Sequence, residues 1–238
     1  MSSLPISSKE DDMPRLRPFF SYFGSKWRLA PRYPAPVCDM VVEPFAGSAS
    51  YALLHHDRRV ILIDRYPAIC ALWRYLIGVS ESEIRALPLL SPGEAIPSSI
   101  AEEARMLIGF WSSKGTVRPG QTMHGNPDAV KLGCWGPSIR ERIASQLRHI
   151  RHWTVIQGGY TDAPDIEATW FIDPPYQCDA GRRYVHSDID FADLGGWCSK
   201  RRGQVIACEM EGADWLPFRP FAATKGTRKT SREVIWAS

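Results

Sequence analysis

The sequence predicts an α/β fold: an open, mostly parallel sheet with helices on both faces and one small, mainly helical insertion. Three observations predict it. Short apolar, β-branched runs alternate with segments of helical period in both flanks of the chain, the pattern of strand–helix–strand units. Between about Leu76 and Arg148 the strand signals vanish, and Gly and Pro punctuate short helical stretches. The run Ala168-Thr169-Trp170-Phe171-Ile172 stops at Asp173-Pro174-Pro175-Tyr176. A buried strand reads this way when it delivers its last side chain to the carboxyl edge of a sheet, where open α/β sheets hold ligands.

In chain order, Val37 to Val42 reads as a first buried strand, followed by the turn Glu43-Pro44-Phe45-Ala46-Gly47-Ser48 and a helix from Ala49 to His56. Arg59 to Ile63 is a second strand ending at Asp64. Pro67 to Ile77 then has apolar residues at helical spacing, with proline in the first turn, where it is tolerated. The insertion carries helical stretches over Ile100 to Trp111 and Ser138 to His149. Strand signals return at Trp153 to Gln157, Ala168 to Ile172 and Val205 to Cys208, with a helix over Phe191 to Arg201. The segments Trp215 to Phe221 and Val234 to Trp236 read as an antiparallel hairpin at the sheet edge. The boundaries expected are a disordered leader over 1–15, a catalytic domain over 16–75 and 150–238, and an insertion over 76–149.

At 238 residues, 44% hydrophobic and 23% charged, the chain has the composition of an ordinary globular domain. No apolar run approaches a membrane span, and the Ser-rich start lacks a signal core, so the expected location is cytoplasmic. The six cysteines include no Cys-x-x-Cys pair, which indicates neither a disulfide frame nor a zinc site, and no metal is expected. His149 and His152 stand three apart but have no further ligands near them in sequence, and read as surface or capping groups. Net charge is only +3, yet Lys225, Arg228, Lys229 and Arg232 concentrate four cations in eight residues, a pattern suited to phosphates or to a solvated loop.

The residues that carry chemistry point to an amine. Pro174 and Pro175 have no amide hydrogen, so the corner after Ile172 is rich in acceptors. The Asp173 carboxylate and the Pro174 carbonyl can each take one hydrogen from an exocyclic NH2, while Tyr176 offers a flat face for a ring. The Gly47 turn lets a ligand approach the backbone but lacks the Gly-x-Gly-x-x-Gly spacing of pyrophosphate binders. Asp64 is placed to accept ribose hydroxyls, or to sit at a helix N-terminus favoured by the dipole. Upstream, Phe20-Ser21-Tyr22-Phe23-Gly24-Ser25-Lys26 offers aromatics and a cation that could stack on a purine and neutralise a cofactor carboxylate, with core packing of Tyr22 and Phe23 as the competing reading. Cys178 lacks the Pro-Cys context of a cytosine nucleophile. Tyr184, His186, Asp188, Asp190 and Asp193 read either as a mobile closing segment or as a solvated helix start.

The order Phe-x-Tyr-x-Gly-x-Lys, then Glu-Pro-Phe-x-Gly, then Asp-Pro-Pro-Tyr resembles the Dam-like (alpha group, D12 class) DNA adenine N6-methyltransferases, over about residues 18–75 and 150–238. The resemblance implies a Rossmann-like methyltransferase sheet, S-adenosyl-L-methionine as cofactor and double-stranded DNA as partner. It implies a cofactor site drawn from Tyr22, Phe23, Gly24, Lys26, Glu43, Pro44, Phe45, Gly47, Asp64, Tyr160 and Asp173. Asp173, Pro174, Pro175 and Tyr176 would hold a flipped adenine, the insertion would read the target, and Lys225, Arg228, Lys229 and Arg232 would touch phosphates. Such an enzyme is either solitary, of phage or host type, or the modification half of a restriction system with a cognate endonuclease. The sequence departs from the family at Ser25 and Ala49, where glycines are common, and at Gly159, where an acidic contact is missing. The insertion lacks the Asn- and Gly-rich pattern of GATC readers, which leaves the target sequence open, as the oligomeric state is. Rival readings are methyl transfer to cytosine N4, RNA adenine or a glutamine side chain, and a catalytically silent DNA-binding relative.

Overall fold

The computed structural model describes residues 14–225 and 230–238; apart from Pro14 and Arg15, the expected leader lies outside them. The chain runs β1 (Met40–Glu43), α1 (Ser50–Leu54), β2 (Arg59–Asp64), α2 (Pro67–Gly78), α3 (Glu81–Ala86), α4 (Glu102–Ser112), α5 (Pro137–Gln146), β3 (Thr154–Gln157), β4 (Glu167–Ile172), α6 (Phe191–Cys198), β5 (Arg202–Met210), β6 (Arg219–Lys225) and β7 (Thr230–Ala237). The strands form one seven-stranded sheet in the order β3-β2-β1-β4-β5-β7-β6. β1 to β5 are parallel, while β7 runs antiparallel to both β5 and β6.

Local chemistry sets these boundaries. Pro67 fits the first turn of α2 because its missing N–H has no helical partner to lose. α3, which the hydrophobic pattern did not announce, is started by a capping box in which Ser80 and Glu83 bond each other's backbone N–H. α6 begins where the Asp190 carboxylate accepts the Asp193 N–H at 3.0 Å. It ends at Cys198, short of the expected Arg201. β1 starts later than expected: Val37 is 73% exposed and its N–H is held by the Thr169 hydroxyl, outside the ladder. Trp215 to Phe218 is likewise not strand; it packs irregularly beside α6, and β6 starts only at Arg219.

The sheet has two unequal cores. On one face Leu62, Tyr51 and Phe171 pack with Trp73 of α2 and the upstream aromatics Phe19 and Phe20. Ile84, Leu107, Phe110, Trp135 and Ile143 join this same cluster, so the insertion shares the core of the sheet and is no separate globule. On the other face Val42, Ile63, Trp170 and Val205 pack against Leu194 and Cys198 of α6. Among the described residues no helix is long and apolar enough to cross a membrane.

Candidate active site

Strand order reverses between β1 and β4: the chain winds outward from β1 through β2 to β3, then outward the other way through β5. The carboxyl ends of strands at such a reversal leave a crevice. Glu43 closes β1, Asp64 closes β2 and Asp173 follows β4, so three carboxylates arrive at one edge.

The turn after β1 is held from inside. Gly47 adopts φ 43°, a conformation glycine takes without penalty, and its N–H donates to Asp64 Oδ2 at 3.0 Å. Asp64 Oδ1 accepts the Tyr66 N–H at 2.8 Å. Burial pushes the Asp64 carboxyl up, against the pull of these two bonds. Glu43 is 2% exposed and accepts the Ala52 N–H at 2.6 Å, anchoring the start of α1. Burial pushes its carboxyl up to about 8. Ala49 sits at φ 51°, ψ 46°, a left-handed conformation that costs a non-glycine residue about 1–2 kcal/mol. Ser25 Oγ lies 3.0 Å from Ser50 Oγ, tying the upstream aromatic segment to this turn.

Lys26 is tied to Asp173. Its ammonium faces Asp173 at 2.8 Å from Oδ1, and it donates to Oδ2 at 3.1 Å and to the Gly24 carbonyl at 3.2 Å. Burial by itself would lower the lysine, but the Asp173 and Glu233 carboxylates outweigh it and hold the group well above its usual range. The cation expected near a cofactor carboxylate thus also serves as the counter-ion of Asp173. Oδ1 meets this charge without hydrogen-bond geometry: it is buried and has no donor. The ammonium also sits 4.6 Å from the centre of the Tyr176 ring, whose hydroxyl is buried without a partner. Behind Lys26, Glu233 of β7 accepts the Tyr33 hydroxyl.

Loop 181–190 straps the opening. The Tyr184 hydroxyl donates to the Phe23 carbonyl at 3.2 Å, and its ring packs on Tyr22 and Phe23. A Cβ on Gly24 would lie 2.0 Å from the Tyr184 oxygen, so the strap needs glycine there. At the far end Arg65 Nη1 meets Asp188 Oδ1 at 3.3 Å. The space beneath is about 70 Å³, small for a nucleoside, and it opens to solvent beside the strap.

Tyr22, Phe23, Gly24, Lys26, Glu43, Pro44, Phe45, Gly47, Asp64, Asp173 and Pro175 line this one cleft. Tyr22 does so while packed edge-on against Phe20 and Phe110, so its core role is as real as its cleft role. Pro174 and Tyr176 lie in the adjoining turn. Tyr160 is not brought to the cleft: its hydroxyl donates to Asp193 at 2.6 Å and its ring packs behind Phe45 and on Trp197. Arg232 is exposed and faces Glu211 at 3.4 Å. Lys225 ends β6, while Arg228 and Lys229 lie outside the described residues. β7 runs three residues past Glu233, the partner of Met210 at the end of β5, so the hairpin overhangs the site edge by about 10 Å. Sequence reasoning missed Arg65, Tyr66, Ser50, Glu233 and Glu209. Of these, the acid that follows the apolar run Val205 to Cys208 carried a readable signal. Tyr66 also borders a second hollow, lined on the insertion side by Arg105 and Gln121. His56 and His149 face each other at 5.0 Å, and His152 bonds the Arg58 carbonyl. Among the described residues no group of His, Cys, Asp and Glu could hold a metal ion.

A mixed seven-stranded sheet with its last strand inserted antiparallel, and acidic residues at or just after the ends of β1, β2 and β4, defines an open α/β protein with its candidate site at the carboxyl edge of the sheet. Solved structures of similar fold include a conserved hypothetical protein of Streptococcus pyogenes, at 10% identity and TM-score 0.34 over 88% of this chain and 91% of that one. No protein-family model matches the chain, and no curated protein matches it.

Proposed function

We propose that this chain transfers a methyl group from S-adenosylmethionine to N6 of adenine in duplex DNA. The observation that carries the reading is the Asp173 side chain: it lines the cleft at the carboxyl edge of the sheet, paired with Lys26 and followed directly by two prolines. A carboxylate beside a proline carbonyl is a pair of acceptors, and an exocyclic amino group is the pair of donors that matches it.

The cleft suits the cofactor. Its two side-chain cations are committed, Lys26 to Asp173 and Arg65 to Asp188, and no phosphate-binding glycine pattern is present. The remaining acids, Glu43 and Asp64, are both pushed up by burial, so what the cleft offers is hydrogen-bond acceptors and not the free cations that a dinucleotide's pyrophosphate needs. Asp64, Gly47 and the Tyr22–Phe23 segment would hold it, and when bound it supplies an electrophilic methyl group. Lys26 holds the Asp173 side chain in place through their ion pair, so the carboxylate can take an N6 hydrogen and draw the nitrogen lone pair out of ring conjugation. Pro174 and Pro175 add no N–H that would compete for the acceptors, and the Pro174 carbonyl can take the second hydrogen. An adenine in a duplex cannot reach this edge without leaving the stack. The overhanging hairpin supports phosphate contacts, and the hollow beside Arg105 and Gln121 supports base reading by the insertion.

The test is transfer of labelled methyl from the cofactor to mixed duplex DNA, single-stranded DNA, RNA and protein, followed by nucleoside analysis. N6-methyldeoxyadenosine from duplex DNA is expected. Label at cytosine N4, in RNA or in protein would replace the substrate, and no transfer to any acceptor would leave a silent relative.

A further inference from the structure

Glu209 is a buried charge that the chemistry above does not use. It is 0% exposed, near the end of β5. Register pairs Ile172 with Ala207, so Glu209 lies two residues further along the neighbouring strand than the residue that precedes Asp173. Strand alternation puts it on the face of Val205 and Ala207, towards α6, while Asp173 reaches Lys26 on the other face. From there its Oε1 accepts the N–H of Gln177 at 2.7 Å, and Oε2 accepts the N–H of Met210 at 2.6 Å. The Trp215 indole lies beside it, its N–H buried.

Gln177 is the residue directly after Tyr176. The Cys178 N–H bonds the Tyr176 carbonyl at 2.7 Å, which closes a three-residue turn with Gln177 at its centre, and Gln177 has a negative φ. The chain then doubles back so tightly that a Cβ on Gly181 would lie 2.0 Å from the Tyr176 carbonyl. The Asp-Pro-Pro-Tyr corner is thus held at its front by Lys26 on Asp173 and at its back by Glu209 on the Gln177 amide. Pro174 and Pro175 have no N–H with which the corner could be anchored in any other way.

We propose that Glu209 is a positioning residue: by accepting the Gln177 amide it fixes the orientation of the Asp173–Tyr176 corner toward the target amine. Its kinetic consequence rests on the methyltransferase reading, whereas its structural consequence does not. A corner displaced by about 1 Å costs on the order of 100-fold in turnover.

Three variants test this: Glu209→Ala, Glu209→Gln, which retains one acceptor for the Gln177 amide, and Gln177→Pro, which suits a negative φ but deletes the N–H itself. Cofactor affinity by calorimetry, single-turnover methyl transfer at saturating cofactor, and the alkylation rate of Cys178, located by peptide mapping, are measured for each. Glu209→Ala and Gln177→Pro are expected to lower turnover about 100-fold with cofactor affinity nearly unchanged, and the double variant to be no slower than the worse single one. Glu209→Gln should recover most of the loss, and Cys178 should react several-fold faster in Glu209→Ala as its turn loosens. Unchanged turnover and unchanged Cys178 reactivity in Glu209→Ala would overturn the proposal. So would turnover and cofactor affinity falling together, because that pattern marks a general brace of the fold. If the wild-type chain transfers methyl to no acceptor, the methyltransferase reading fails and Cys178 reactivity alone decides the clamp.

Discussion

At the scale of single residues, the pairing of Lys26 with Asp173 governs both stability and chemistry. The two side chains are 10% and 19% exposed, so removing either partner leaves a largely buried charge without its counter-ion. Asp173→Ala is therefore expected to cost about 3–5 kcal/mol in stability as well as activity, and Asp173→Asn much less. Adding Lys26→Met to Asp173→Ala should restore part of the loss, since the stranded cation goes with it. Chemical denaturation of the three variants checks this, and additive losses in the double variant would mean the pair is not coupled. The sequence could not announce this pairing: 147 positions separate the partners, and a lysine among aromatics reads equally well as a cofactor contact.

At the scale of elements, strands buried on both faces were the most legible part of the chain. Arg59–Asp64 and Glu167–Ile172 stand within a residue of their expected bounds because continuous apolar runs end at a carboxylate. The misreadings have local causes. Val37 and Trp215 to Phe218 are apolar but not laddered, since apolar character signals burial or packing before it signals strand. α3 was findable from Ser80 and Glu83, a capping box too short in apolar content for a periodicity search. Two elements make further predictions. The Arg65–Asp188 pair is exposed and contributes little to stability, yet it fastens the strap over the cleft. Asp188→Ala should leave the melting temperature within about 1 °C while speeding cofactor association in stopped flow, and an unchanged rate would show that the strap does not gate entry. The β6–β7 hairpin overhangs the site edge, so neutralising Lys225, Arg228, Lys229 and Arg232 together should weaken all DNA sequences alike. It should also reduce the slope of log K against log salt by about one for each phosphate the hairpin no longer neutralises. Arg232, already facing Glu211, is expected to contribute least, and an unaltered slope would reduce the hairpin to a solvated edge.

At the scale of the whole molecule, the fold gathers carboxylates at one sheet edge and holds several of them out of water. Burial pushes Glu43 up to about 8 and Glu233 up to about 7, against 4.5 for a free glutamate. The folded state thus holds these protons more tightly than the unfolded chain. The stability they contribute is complete below about pH 4.5 and is lost as pH rises through 7 and 8. Melting temperature should therefore fall from mildly acidic to mildly alkaline pH, and Glu43→Gln with Glu233→Gln should flatten that fall. A wild-type profile that rises over this range would contradict the assignment. The general plan of the sheet was legible from its strand–helix alternation, and the places of Glu43, Asp64 and Asp173 because each sits where an apolar run ends. The inward cluster of Lys26, Tyr33 and Glu233 was not, because β7 enters the sheet between β5 and β6 and brings its acid to the site from the far end of the chain. In the proposed reaction Asp173 accepts a hydrogen from an adenine amine. The most direct test is single-turnover methylation of duplex DNA at saturating cofactor by the wild-type chain and by Asp173→Asn, with nucleoside analysis of the product and cofactor affinity measured alongside. N6-methyldeoxyadenosine from the wild type, and a loss of about 1,000-fold or more in the variant with cofactor affinity nearly unchanged, is the expected result. Equal turnover in the variant, or a product methylated at another atom, would contradict it.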